Sequence, residues 1–158
     1  MTVHIQTDPP YQHTVDAAQL AAAAADALKL GGPATAGVTV VITSDEAVRA
    51  LNRQYRGLDA PTDVLSFEAA GDDGFVVAGE RGPYLGDVII AAPTASAQAR
   101  AAGHTPAEEM TLLAVHGILH LLGFDHDTPA RKKIMWQQQA QILRLHNLSH
   151  IKPTEAHP

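Results

Sequence analysis

The sequence predicts an α/β (α+β) chain folded as a single domain, with a mixed sheet of about four strands flanked by about five helices. Three observations carry this. A chain of 158 residues suits one hydrophobic core. Short β-branched runs such as "VTVVIT" and "LGDVIIA" read as buried strands. Longer segments with apolar residues at helical spacing lie among them, without the strict strand–helix alternation of a doubly wound fold. Hydrophobic residues make up 46% and aromatics only 4%, so alanine and branched aliphatics have to build the core.

Val3 to Gln6 reads as a short strand. Val15 to Leu30 reads as a helix, because five consecutive alanines favour it and Gly31-Gly32-Pro33 stops it. Val38 to Thr43 is a strand. Ser44 is placed to cap a helix with Ala47, Val48, Leu51 and Tyr55 at helical spacing, which Gly57 ends. Asp63 to Phe67 is a third strand, and the glycine-rich stretch from Ala69 to Pro83 a loop or loose hairpin. Leu85 to Ala91 is a fourth strand. Pro93 opens a short helix that Gly103 closes. Thr105-Pro106-Ala107-Glu108 is a capping box with proline at the first helical position. The helix it opens runs to Leu122, with Gly123 as a left-handed stop. A last helix runs from about Pro129 to Asn147. The domain spans residues 1–150, and the tail from Ile151 to Pro158 is expected to be frayed and disordered.

Composition excludes several classes. There is no cysteine, so disulfides and thiolate metal sites are ruled out, and any metal has to be held by nitrogen or oxygen. A net charge of −6 argues against a protein coated in positive charge for nucleic acid, though not against a local basic site. Met1 to Pro10 has no basic region followed by an apolar run, and the alanine-rich segment is interrupted by Gln19, Asp26 and Lys29. Neither a leader nor a membrane span is expected, and a cytoplasmic location is.

The stretch "HGILHLLGFDH", positions 116 to 126, places three histidines in an apolar setting. His116 and His120 are four residues apart on a helix of about 3.6 residues per turn, so both face the same way. Gly123 lets the chain leave the helix axis, and His126 can return as a third ligand. Three imidazoles in a core would each suffer desolvation, and one metal satisfies all three. Three histidines also leave a zinc ion a fourth position for water, the layout of a catalytic site. The spacing is that of the zinc-peptidase motif H-E-x-x-H-x-x-G-x-x-H, except that Gly117 stands where the peptidase has its glutamate base. Asp125 and Asp127 flank His126, and either could orient a ligand imidazole. Asp127 is more simply the cap of the next helix, and Asp125 a shaper of the turn. The other histidines, His4, His13, His104, His146, His150 and His157, lack such spacing and read as surface or tail residues.

The histidine stretch closely resembles the signature of the YbeY family of single-domain, metal-dependent endoribonucleases. "LNRQYRGLDAPTDVLSF", Leu51 to Phe67, resembles the family's second block, and "LGDVIIA", Leu85 to Ala91, its third. The blocks come in the family's order and cover the chain from about Val38 to Asp127. The resemblance implies a mixed sheet flanked by helices, with one zinc ion on His116, His120 and His126. It implies single-strand-specific RNA cleavage in maturation of the small-subunit rRNA 3′ end and in ribosome quality control. The implied partners are ribosomal RNA and the small subunit or its associated proteins. It also implies that Arg56 acts with the three histidines in catalysis. The glycine-rich loop is the main departure from the family.

Arg49, Arg53 and Arg56 form a basic stripe on one helix face, and arginine suits phosphate oxygens because it donates in a fixed fork. Arg49 and Arg53 read as a solvated face paired with Asp45 or Glu46, whereas the resemblance assigns Arg56 to function. Arg131, Lys132 and Lys133 either extend an RNA track or are simply solvated. Asp63 and Asp87, charged residues at strands, either line the cleft or satisfy backbone groups in a turn. Two other functions compete with the nuclease. One is a zinc metallopeptidase-like hydrolase, against which Gly117 counts. The other is a non-catalytic ribosome-assembly factor with a structural metal.

Overall fold

The computed structural model describes residues 1–69, 74–77 and 80–152. The elements follow the chain as β1 (Thr2–Thr7), a 3-10 helix (Pro9–Thr14), α1 (Ala17–Leu28), β2 (Gly37–Thr43), α2 (Asp45–Arg56), β3 (Val64–Glu68), β4 (Gly74–Val77), β5 (Glu80–Ala91), α3 (Ala92–Ala102), α4 (Pro106–Leu121) and α5 (Pro129–Leu145). The main sheet has the order β1-β2-β5-β3, in which β1, β2 and β5 run parallel and β3 antiparallel to β5. It is the mixed four-strand sheet with five α-helices that the sequence predicts. The 3-10 helix is additional. So is the backward reach of β5, which starts at Glu80 and pairs with β4 as a hairpin inside the stretch read as a loop or loose hairpin.

The boundaries have local causes. Asp16 accepts from the Gln19 amide and starts α1, while Ser44 accepts from the Ala47 amide and starts α2. Thr105 and Glu108 form the predicted reciprocal capping box at α4. At α5 the cap is Thr128, whose hydroxyl accepts from the Arg131 amide, and not Asp127. Asp127 instead pairs with the Arg131 guanidinium at 2.8 Å. Two adjacent residues were both able to cap, and the register of the turn selected the threonine.

The strands alternate. Val38, Val40, Ile42, Val88 and Ile90 turn to one face and enter the main core with α1 and α4. Leu65, Ile89 and Ala91 turn to the other and pack against Val48 of α2. Helix α4 is the centre of the molecule, and every residue from Glu109 to Leu119 on it is buried. The C-terminal stretch is tied down at first. Ile151, read as the start of a frayed tail, is 3% exposed and packs with Leu112, Leu143 and Leu148. Residues 153–158 of that tail lie outside the described residues. No helix among the described residues is long and apolar enough to cross a membrane.

Candidate metal centre

The three histidines meet. One ring nitrogen from each of His116, His120 and His126 lies within 4.8 Å of the others. His116 is fully buried, and His120 and His126 are half-buried at the mouth. The turn between the last two histidines is a Schellman motif. Gly123 (φ +98) donates to His120 O, and Phe124 donates to Leu119 O at 3.0 Å. That left-handed glycine reverses the chain and returns His126 to the helix end, as the sequence predicts.

The proton positions follow from the partners. The Nδ1 of His116 lies 3.0 Å from Gln139 Oε1, and the Nδ1 of His120 lies 3.0 Å from the Phe124 carbonyl. Both oxygens can only accept, so each Nδ1 carries the proton and each Nε2 presents a lone pair. Yet the two Nε2 atoms stand 3.1 Å apart. Two lone pairs at that distance repel unless a cation or proton lies between them. Nitrogens bound tetrahedrally at ~2.0–2.1 Å from one zinc stand roughly 3.3–3.4 Å apart. The donor set therefore fits a transition metal ion. Burial pushes the His120 imidazole below its ordinary pKa, and the neighbouring His126 acts in the same direction. The Asp125 carboxylate and the Phe124 carbonyl oppose them, while Arg56 adds a smaller downward push. His120 is thus neutral, as a ligand must be.

Two walls complete the site. On α5 the Trp136 ring stands edge-on to His116 and His126 at 5.8 and 5.5 Å, and Lys132 lies over it at 5.5 Å. On the other side an open cleft of about 400 Å³ runs from His120 and Asp125 along β3 to Arg56 and Glu68. Arg56 donates to the Ser66 carbonyl at 2.5 Å, and its guanidinium lies 5.4 Å from the centre of the Phe67 ring. It therefore sits fixed at the cleft edge, within the electrostatic reach of His120.

Gly117 has a packing explanation. A Cβ there would fall 2.5 Å from Val88 Cγ1 and 3.0 Å from Ser66 Oγ. The Ser66 hydroxyl also donates to the Gly117 carbonyl at 3.0 Å. Helix α4 lies so close to β3 and β5 that no glutamate fits at the peptidase position.

Several expectations are corrected. Neither aspartate is the hydrogen-bond acceptor at Nδ1 of His116 or His120. Asp125 accepts from the His126 amide at 2.7 Å and stands 3.9 Å from His120 Nδ1, so it shapes the turn. The orienting acceptors are Gln139 and the Phe124 carbonyl, which sequence spacing does not mark. Arg49 pairs with Asp59 at 2.8 Å, because Asp45 is engaged by the amide and hydroxyl of Thr94. Asp63 and Asp87 do not line the cleft. Asp63 is buried at the start of β3, where its carbonyl accepts from the Ala91 amide. Asp87 accepts from the Tyr84 hydroxyl on the sheet face opposite Val88. His104 is no surface residue: its side chain is 5% exposed and donates to the buried Glu109 at 2.5 Å. Glu68, on the cleft, was not singled out by the sequence.

With this geometry in view, relatives are informative. The profile of the family described as Endoribonuclease YbeY matches residues 5–147. The chain belongs to the YbeY endoribonuclease family. It is 41% identical over 150 residues to Endoribonuclease YbeY of Geobacillus kaustophilus, covering 90% of this chain and 96% of that one. It is 44% identical over 153 residues to the enzyme of that name from a Roseiflexus species, covering 94% of each. The Gloeobacter violaceus Endoribonuclease YbeY is 44% identical over 127 residues, 80% of this chain and 66% of the relative. The fold is also that of a Thermotoga maritima protein solved in solution, with TM-score 0.52, 21% identity, and coverage of 97% of this chain and 98% of that one. The residues matched by the family profile include the stretch 116–126 that forms the candidate metal centre in this chain.

Proposed function

We propose that this protein is a zinc-dependent, single-strand-specific endoribonuclease that matures the 3′ end of small-subunit rRNA and takes part in ribosome quality control. The observation that carries the reading is the pair of inward-facing Nε2 lone pairs at 3.1 Å, beside a cleft edged by a fixed arginine. His116, His120 and His126 would hold the ion, and three imidazole nitrogens suit zinc. A zinc ion bound there supplies Lewis acidity toward a phosphate oxygen and lowers the pKa of water.

The chain's own residues do the rest. Arg56 is the catalytic cation. Its guanidinium offers more donors than the one engaged by Ser66, and from the cleft edge these can meet the non-bridging oxygens of a phosphodiester as charge develops. The cleft is open, which suits a flexible single strand better than a rigid duplex. Lys132, beside Trp136 on the opposite wall, adds positive charge to a protein of net charge −6. With so little basic surface, specificity rests in part on the ribosomal partner. Gly117 leaves no room for a peptidase base, so the peptidase reading loses its chemistry.

The test is cleavage of a small-subunit rRNA precursor by Arg56→Ala protein that retains its metal. Loss of cleavage supports the reading. Full activity removes Arg56 from the mechanism, and absence of cleavage by wild type on precursor-containing subunits leaves an assembly factor with a structural metal. Product ends identify the nucleophile: a 5′-hydroxyl with a cyclic phosphate means the ribose 2′-hydroxyl attacks, and a 5′-phosphate with a 3′-hydroxyl means water does.

A further inference from the structure

Gln139 is buried on α5, 1% exposed, between the apolar and buried Met135, Ile142 and Leu143 of the same helix. Its Oε1 meets His116 Nδ1 at 3.0 Å. Its Nε2 meets no hydrogen-bond partner among the described residues. Packing alone favours an apolar side chain at such a place, because half of the amide is desolvated without return. A reason for the amide lies in what its oxygen touches.

We propose that Gln139 is a positioning residue for the metal centre: by accepting from His116 Nδ1 it fixes the ring with Nε2 toward His120 and His126, and so sets the affinity for a divalent transition metal. The proposal rests on the reading of the histidines as metal ligands. His116 is the ligand that needs such help. The ring is fully buried, and between the two helix histidines it alone takes its tautomer from another side chain. His120 takes its tautomer from the backbone carbonyl of Phe124, which no substitution deletes. The chemistry is also directional. An amide turned the other way would donate to Nδ1 and move the His116 proton onto Nε2, facing His120. An apolar side chain would remove that acceptor. Only an acceptor on α5 presents the Nε2 lone pair to an ion.

The experiment is equilibrium binding of Zn²⁺ to the chelator-treated full chain, by competition with a chromophoric chelator. Wild type is compared with Gln139→Leu, Gln139→Met and Gln139→Glu, and each metal-free protein is checked by thermal melting. Leu and Met remove the acceptor, and whichever of them folds serves the test. Glu keeps the acceptor in the same shape. The expected result is Zn²⁺ affinity about 10–100-fold weaker without the acceptor, and restored to near wild type or better by Gln139→Glu. The melting midpoint of the metal-free Leu or Met protein stays at or above that of wild type. Equal affinity in all four proteins overturns the role of Gln139 while leaving the metal centre intact. Weak binding in Gln139→Glu equal to that of Gln139→Leu also overturns it, because a carboxylate accepts as the amide does. Failure of wild type to bind Zn²⁺ overturns the metal reading itself.

Discussion

The Nε2 atoms of His116 and His120 face each other at 3.1 Å while both Nδ1 positions are committed to oxygen acceptors. The pair is thus prepared for a cation before one arrives. His120 has its pKa lowered by burial, so its folded form binds fewer protons than its unfolded form as pH falls through the ordinary imidazole range. Its contribution to stability is present above the unfolded pKa and is lost as pH falls toward the folded one. We expect metal-free protein to lose stability as pH drops below about 6.5, and His120→Asn to flatten that slope. Denaturant melts from pH 7.5 to pH 5 check this.

Gly117→Glu, which would restore the peptidase signature, is expected to damage the fold and not to create a peptidase. Its Cβ meets Val88 at 2.5 Å, so overpacking of about 1–3 kcal/mol or more applies even to Gly117→Ala. Val88→Ala is expected to relieve Gly117→Ala, giving a non-additive double-mutant cycle in thermal or denaturant melts.

Arg56→Ala is expected to fold and to hold metal as wild type does, since the side chain is exposed and its hydrogen bond reaches a strand carbonyl. RNA cleavage is expected to fall by about 10²–10³-fold, the usual effect of losing one positioned donor. Arg56→Lys is expected to recover little, because a point charge does not reproduce the fork. Single-turnover cleavage with parallel metal analysis checks both.

His104→Ala removes the partner of a carboxylate that is 0% exposed. A buried acceptor that loses a hydrogen-bond donor costs about 1–3 kcal/mol. The amide nitrogen of Gln98, in the orientation that satisfies its neighbours, donates to both Glu109 and Asp63 at 3.1 Å and offsets part of that. Replacing Glu109 by Gln in the same chain is expected to recover stability, which urea melts resolve.

Tyr84 is pushed up to about 12 by burial and by its hydrogen bond to the Asp87 carboxylate, with Thr39 partly opposing. The folded state thus keeps a proton that the unfolded state releases near pH 10. The contribution is present below that pH and is lost as pH rises toward 12. Ultraviolet titration is expected to show a late-titrating tyrosine that is absent in Tyr84→Phe.

Much of the site was legible because it is local. The capping box at Thr105, the four-residue spacing of His116 and His120, and the stop at Gly123 lie within one helix and its end, where period and cap chemistry decide. What escaped depends on contacts between distant segments. A glutamine on α5 carries no spacing that ties it to His116. Nothing near Gly117 announces that Val88 presses against it. His104 reads as a surface residue, and only the packing of α3 against α4 buries it with Glu109. The choice between Asp127 and Thr128 as cap was decided by the exact path of the turn after His126.

The proposed function requires that His116, His120 and His126 hold the metal on which RNA cleavage depends. Its most direct test is zinc content and cleavage of small-subunit rRNA precursor measured on the same purified samples of wild type and His120→Ala. Wild type is expected to carry about one zinc per chain, as one three-histidine site requires, and to cleave, and the variant to do neither. Equal cleavage by both proteins, or cleavage by wild type freed of metal, would contradict it.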